Sequence, residues 1–143
     1  MNIRNWIQAL AMSFAFLLST FSCAAEREEK VVYHITDASI ASQALRNIRN
    51  HLEQSPKAKI VVVTHGAGID FLLEGAQDKN GNPYDINVQE LAARGVGFRV
   101  CNNTLVGRKI DRSKVLPEAS VVPSGVAEVS RLQFQEGFVY IKP

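Results

Sequence analysis

Cysteine is scarce in this chain: Cys23 and Cys101 are the two among 143 residues. That excludes a disulfide-built scaffold and a tetrahedral thiolate metal site, each of which takes several cysteines. Long apolar runs are lacking too. Ile7 to Phe21 is broken by Gln8, Ser13, Ser19 and Thr20 and falls short of the ~20 residues a membrane helix needs. Charge of one sign is missing: 16 Lys and Arg stand against 14 Asp and Glu. Without a concentrated basic surface, nucleic acid is not an expected partner. His65-Gly66-Ala67-Gly68 places glycines after a strand, yet it lacks the third glycine of a dinucleotide fingerprint and the Lys-Ser/Thr of a P-loop. ATP and NAD are therefore not expected, and no cofactor is assigned. Serine hydrolysis lacks its G-x-S-x-G elbow. His34, His51 and His65 have no i, i+4 pairing with an acidic partner, so no metal is assigned either.

What is present begins with an export signal. Arg4 precedes the apolar run, and Ser22-Cys23-Ala24-Ala25 offers small residues for cleavage, the pattern of a secretory signal peptide over residues 1–25. Residues 26–143 then form one domain, in the periplasm, with no stable membrane span. Cleavage after Ala24 or Ala25 discards Cys23 and leaves Cys101 alone, unable to form an internal disulfide. A lipid-modified Cys23 is a minor alternative. A lone thiol in an oxidising compartment is a liability unless it is buried or used.

Val31 to Thr36 reads as a first strand. Ile40, Ala41, Ala44, Leu45, Ile48 and Leu52 recur at helical spacing through Gln54, with Asp37 or Ser39 as cap. Lys59 to Thr64, with consecutive β-branched residues, reads as a central parallel strand. A short helix through Ile69, Phe71, Leu72 and Leu73, ending near Gly75, follows the Gly66–Gly68 turn. A polar loop over 77–83 leads to a second helix from Asp85 or Asn87 to Arg94, where Asn87 and Glu90 have capping-box spacing and Gly95 closes it. Val96, Phe98 and Val100 mark the next strand. Leu105, Val106 and Ile110 predict a short helix, and Ser113 to Leu116 a single turn. Ala119 to Val122 is a strand. Ser124 caps a helix with Val126, Val129 and Leu132 as its stripe, ended by Gly137, and Phe138 to Ile141 is the last strand. Five alternations of strand and helix predict a flavodoxin-like three-layer α/β sandwich with a mostly parallel five-stranded sheet.

Chemistry concentrates where a strand stops at Cys101. In such sheets, ligands bind at the carboxyl ends of the strands. Asn102, Asn103 and Thr104 are helix-capping residue types whose N–H groups are candidate anion donors. A thiol at a helix start is biased toward thiolate. His65 falls at the same sheet edge, a candidate proton partner if its strand adjoins that of Cys101, with Gly66 beside it. Thiolate, proton holder and anion donors are the set that nucleophilic cysteine chemistry needs. The bland alternatives are a packing cysteine and a structural turn histidine. His34 reads as a packed, hydrogen-bonded residue, His51 as a solvated helix-face residue, and Arg99, Arg108 and Lys109 as solvent-facing charges able to raise the local potential. Whether the thiol catalyses a reaction is left open.

Three stretches in order, Ile60-Val-Val-Val-Thr-His65-Gly66, Gly95-Val-Gly-Phe-Arg-Val-Cys101-Asn-Asn-Thr-Leu105 and Val122-Pro-Ser-Gly-Val126 with Gly137-Phe-Val-Tyr140, resemble the DsrE/DsrF-like family, in particular its secreted YchN-like members. The resemblance implies a sulfur carrier in which Cys101 accepts sulfur as a persulfide and passes it to a partner, in a homo-oligomer, trimer or hexamer. An exported member needs a sulfur donor or acceptor protein other than the cytosolic relays. The alternative is a noncatalytic small-ligand-binding or oligomeric assembly module with a structural cysteine.

Overall fold

The computed structural model describes residues 28–143; the expected signal peptide, its cleavage site and Cys23 lie outside them. Five strands, β1 (Lys30–Ile35), β2 (Lys59–Thr64), β3 (Gly97–Cys101), β4 (Ala119–Val122) and β5 (Val139–Ile141), pair in the order β4-β3-β2-β1-β5. Every pairing is parallel. Parallel neighbours need crossovers, and four helices supply them. These are α1 (Ala41–Gln54), α2 (Tyr84–Ala93), α3 (Asn102–Gly107) and α4 (Gly125–Glu136). Among the described residues no helix is long and apolar enough to cross a membrane.

Strand parity divides the core. Val31, Tyr33, Ile35, Ile60, Val62, Phe98 and Val100 point to one face, where the α1 stripe Ala41, Ala44, Leu45, Ile48 and Leu52 packs with Val88 and Leu91 of α2. Each such aliphatic side chain contributes about 1.5–3 kcal/mol of burial. The alternate residues Val32, Val61 and Val63 point to the opposite face and, among the described residues, form a smaller buried cluster with Val129, Leu132 and Phe138, in and just beyond α4. The central position expected for Lys59 to Thr64 is the one β2 occupies.

Several local expectations give way to contacts across the chain. The stretch after His65 winds as a 3₁₀ helix, Gly66–Leu72, rather than an α-helix ending near Gly75. It stops when Leu73 leaves to bridge Val115. Helix α2 starts at Tyr84, one residue before Asp85 and three before Asn87, with Pro83 as its N-cap and no side-chain cap bond. Asn87 and Glu90 do not form a capping box because both hold Arg49 of α1, Asn87 at 3.0 Å and Glu90 in an ion pair. Asp37 caps the 3₁₀ turn before α1 by accepting from the Ser39 N–H at 2.8 Å, and α1 has no side-chain cap of its own. Val126 is 61% exposed and leaves the α4 stripe to Val129 and Leu132. His51 is no solvated face residue: its ring lies between the Tyr33 hydroxyl, 3.0 Å from Nδ1, and the Glu29 carboxylate, 2.7 Å from Nε2.

Candidate functional site

The register of the sheet assembles the site. Thr64 of β2 pairs with Val100 of β3, so the next residues on each chain, His65 and Cys101, emerge side by side at the carboxyl edge. Because side chains alternate along a strand, Cys101 shares the α4 face with Arg99 and opposes Phe98 and Val100. His34 pairs with Val63 of β2, which puts it on the same face, diagonal to His65. Tyr140 pairs with Val32 and falls on that face beside His34. One row, Cys101, His65, His34 and Tyr140, thus crosses β3, β2, β1 and β5.

Contacts follow the row. The His34 and His65 rings lie 4.8 Å apart between centroids, tilted by 44°. His34 Nδ1 is 3.0 Å from the Tyr140 hydroxyl, and its Nε2 is buried without a hydrogen-bond partner. Gly125, the first residue of α4, lies against both Cys101 and His65. A Cβ built on it would stand 3.2 Å from the Cβ atoms of both Cys101 and His65, and 3.0 Å from the Thr64 carbonyl oxygen. Only a glycine leaves this gap open.

Cys101 is 5% exposed. Burial pushes the thiol pKa up, but it is outweighed by donors aimed at sulfur: the N–H of Gly125, the hydroxyl and N–H of Thr104, and the N–H of Asn103. The net direction is below the ordinary thiol value. The Thr104 hydroxyl accepts from the Gly66 N–H at 3.0 Å, which leaves its own proton for the sulfur. The Asn103 N–H is shared with the Pro123 carbonyl oxygen at 3.3 Å. Alkylation of the folded protein by iodoacetamide is therefore expected to reach half its plateau rate at a pH below that of the same protein unfolded in urea. Equal midpoints would show that the donors do not act on the sulfur.

The expected site residues separate into two groups. Cys101, His65, Thr104 and the Asn103 N–H come together. Gly66 takes part through Thr104 rather than by facing the thiol. The side chain of Asn102 turns elsewhere, its oxygen accepting from Arg112 at 2.6 and 3.0 Å, and the donors that lower the thiol pKa come from Gly125, Thr104 and Asn103. None of Asn102, Asn103 and Thr104 caps α3, because the helix begins at Asn102 and Cys101 itself is the N-cap. Arg99 donates to the Ser120 hydroxyl at 2.8 Å, and Arg108 pairs with Asp70, so both guanidinium groups are committed elsewhere. Lys109 is exposed. Sequence reasoning missed Gly125 and the part played by His34 and Tyr140. The signal was strand parity, which puts His34 on the face of Val32, together with Gly125 following a strand end. Among the described residues no three His, Cys, Asp or Glu side chains converge as a metal-ligand set.

Burial, then the neighbouring His65 and Lys142, hold the His34 pKa below the usual imidazole value. Folding therefore favours the neutral ring, so its contribution to stability is complete above about pH 6.5, the value in an unfolded chain, and falls as pH drops below it.

A search of curated proteins finds no match. Among solved structures, the protein of unknown function MTH1491 from Methanobacterium thermoautotrophicum is similar at 32% identity and a TM-score of 0.72, over 81% of this chain and 100% of that one. The YchN protein from E. coli has the same fold, with a TM-score of 0.67 at 16% identity over 80% of this chain and 99% of that one. The family model described as DsrE/DsrF-like matches residues 12–143. The chain belongs to the DsrE/DsrF-like family.

Proposed function

We propose that this protein carries reduced sulfur on Cys101 as a persulfide. The observation that carries the reading is the set of donors around the sulfur, from Gly125, Thr104 and Asn103, which outweighs burial and lowers the thiol pKa from its ordinary value. Family membership supports it through the sulfur relay with which such proteins are linked.

The chemistry needs no cofactor and no net oxidant. The Cys101 thiolate attacks the outer sulfur of a sulfane donor, the donor's sulfur–sulfur bond breaks, and its former partner leaves with the electron pair. With thiosulfate as donor the products are the Cys101 persulfide anion and sulfite, so charge and atoms balance. The same N–H groups that face the thiolate would hold the persulfide anion until an acceptor thiolate repeats the attack. His65, at the same sheet edge, is placed to take the thiol proton as the thiolate forms. Export to the periplasm, a homo-oligomer, trimer or hexamer, and a donor or acceptor protein are parts of the same reading, supported by the signal-peptide pattern and the family resemblance.

The test is intact mass of the purified protein before and after thiosulfate or polysulfide, beside Cys101→Ser. The expected result is a gain of sulfur, reversed by dithiothreitol and absent in the variant. Equal uptake by Cys101→Ser would overturn the reading. The 5% exposure of Cys101 favours a second reading, a packing cysteine in a ligand-binding or assembly module. That reading predicts no sulfur uptake and a thiol that alkylates only after unfolding.

A further inference from the structure

We infer that His34 is a positioning residue: gripped by the Tyr140 hydroxyl, its ring holds the His65 imidazole beside Cys101, so that His65 takes the thiol proton. The inference rests on Cys101 being the reacting thiol. The proton transfer itself is simple: the S–H bond breaks, an N–H bond forms on His65, and no electrons change hands.

His65 is not anchored by its own segment. It is the N-cap of the 3₁₀ segment and its side chain makes no capping bond. An imidazole with free rotation spends little time aligned with a given sulfur, and misalignment of a proton acceptor is costly in rate. The ring packed against it is His34, 4.8 Å away between centroids and tilted by 44°. That ring is itself fixed at one end by the Tyr140 hydroxyl at 3.0 Å, a bond that spans 106 positions of sequence.

At its other end, buried Nε2 has no partner. Leaving a buried polar atom unpaired costs about 1–3 kcal/mol, a sacrifice that native structures make sparingly and that calls for an explanation. A residue whose only task was packing would be better served by an apolar side chain. Keeping the imidazole here retains both the hydroxyl bond and the tilted ring contact with His65.

The surroundings leave this row as the proton's site. On β3, Arg99 gives its guanidinium to Ser120. On α4, Glu128 and Arg131 pair with each other at 2.8 Å. Beyond β5, the charge of Lys142 opposes a second positive charge on His34, as would a protonated His65. His65, next to Cys101 at the sheet edge, is then the group placed to receive the thiol proton, while burial and the neighbouring charges disfavour a charge on His34.

The experiment is the pH dependence of Cys101 alkylation by iodoacetamide, with thermal melts to confirm folding. Wild type, Tyr140→Phe, His34→Ala, His34→Asn, His65→Ala and the double variant Tyr140→Phe/His65→Ala are compared. Tyr140 is 39% exposed, so Tyr140→Phe is expected to fold. Tyr140→Phe and His34→Ala are expected to lower the rate near neutral pH by about 10-fold, below the 10²–10⁴ attached to proton transfer itself, and to move the midpoint upward. His34→Asn, which keeps a polar atom for the Tyr140 hydroxyl, is expected to recover part of the rate. In the His65→Ala background, Tyr140→Phe should have no further effect.

Profiles like wild type for Tyr140→Phe and His34→Ala would overturn the inference, as would an undiminished Tyr140→Phe effect without His65. Alkylation reads the thiol without any sulfur donor. A protein that shows these shifts but never gains sulfur would refute the persulfide reading and leave the role of His34 standing.

Discussion

Gly68→Ala is expected to remove most of the protein's stability. A Cβ on Gly68 would lie 2.1 Å from the Ile35 carbonyl oxygen, 2.6 Å from its carbon and 2.9 Å from the Thr36 carbonyl carbon. All three are backbone atoms, so no rotamer change relieves the collision. Either the 3₁₀ segment or the end of β1 must shift. The segment is pinned by Ile69, Phe71 and Leu72, each fully buried. The Gly68 N–H also donates to the Thr36 carbonyl at 2.9 Å. Overpacking ordinarily costs 1–3 kcal/mol, and a clash with fixed backbone lies at or beyond the top of that range. A loss of about 3 kcal/mol or more is large against the ~5–15 kcal/mol of a typical domain. Urea unfolding is the measurement, and the midpoint should fall by about 1 M or more. Gly66→Ala is the control. Its φ of +60° strains alanine, but its Cβ meets only the Thr36 oxygen at 3.6 Å, so about 1–2 kcal/mol is expected. Equal losses would show that backbone conformation, not collision, is what glycine serves here.

Gly125→Val should silence the thiol while sparing most of the fold. The first atom beyond the backbone already stands 3.2 Å from the Cβ atoms of Cys101 and His65, and the valine methyl groups extend into the gap between them. The first residue of a helix tolerates valine, so the stability cost is the 1–3 kcal/mol of local overpacking. Separating the sulfur from its imidazole and from the Gly125 N–H by about 1 Å can cost 10²-fold in rate. Iodoacetamide alkylation of Cys101 at neutral pH is expected to fall by about that factor, with Gly125→Ala in between. Full reactivity in Gly125→Val would mean that the gap is not the route to the thiol.

Much of the frame was legible because it depends on near neighbours. The α1 stripe at three- and four-residue spacing, the β-branched run of β2, the alternation of Val96, Phe98 and Val100, and the Ser124 cap are local patterns, and the cap bond to Ala127 is there. The misses involve partners far along the chain. Asn87 and Glu90 have the spacing of a capping box, but Arg49 claims both from another helix. His51 looked solvated because Tyr33 and Glu29 come from elsewhere. At the site, Cys101 and His65 were visible as strand-end residues, whereas Gly125 and Tyr140 acquire meaning only once strand order makes β2 and β3 neighbours and sets β5 against β1. Periodicity carries no information about strand order.

The unequal covering of the two sheet faces sets which part of the molecule opens first. Helix α4 rests on one face through Val129 and Leu132, with Phe138 just beyond it, while α1 and α2 share the far larger cluster on the other. Regions with few buried apolar contacts open at lower free energy than the whole. The amides of α4 should therefore exchange with deuterium ahead of those of β2 and α1. Lifting α4 takes away the Gly125 N–H and uncovers the sulfur in one motion. The thiol then loses a stabilising donor as it gains access, so the state most open to bulky reagents is also one in which the sulfur is less ionised, and reagent size and acidity become coupled in its kinetics.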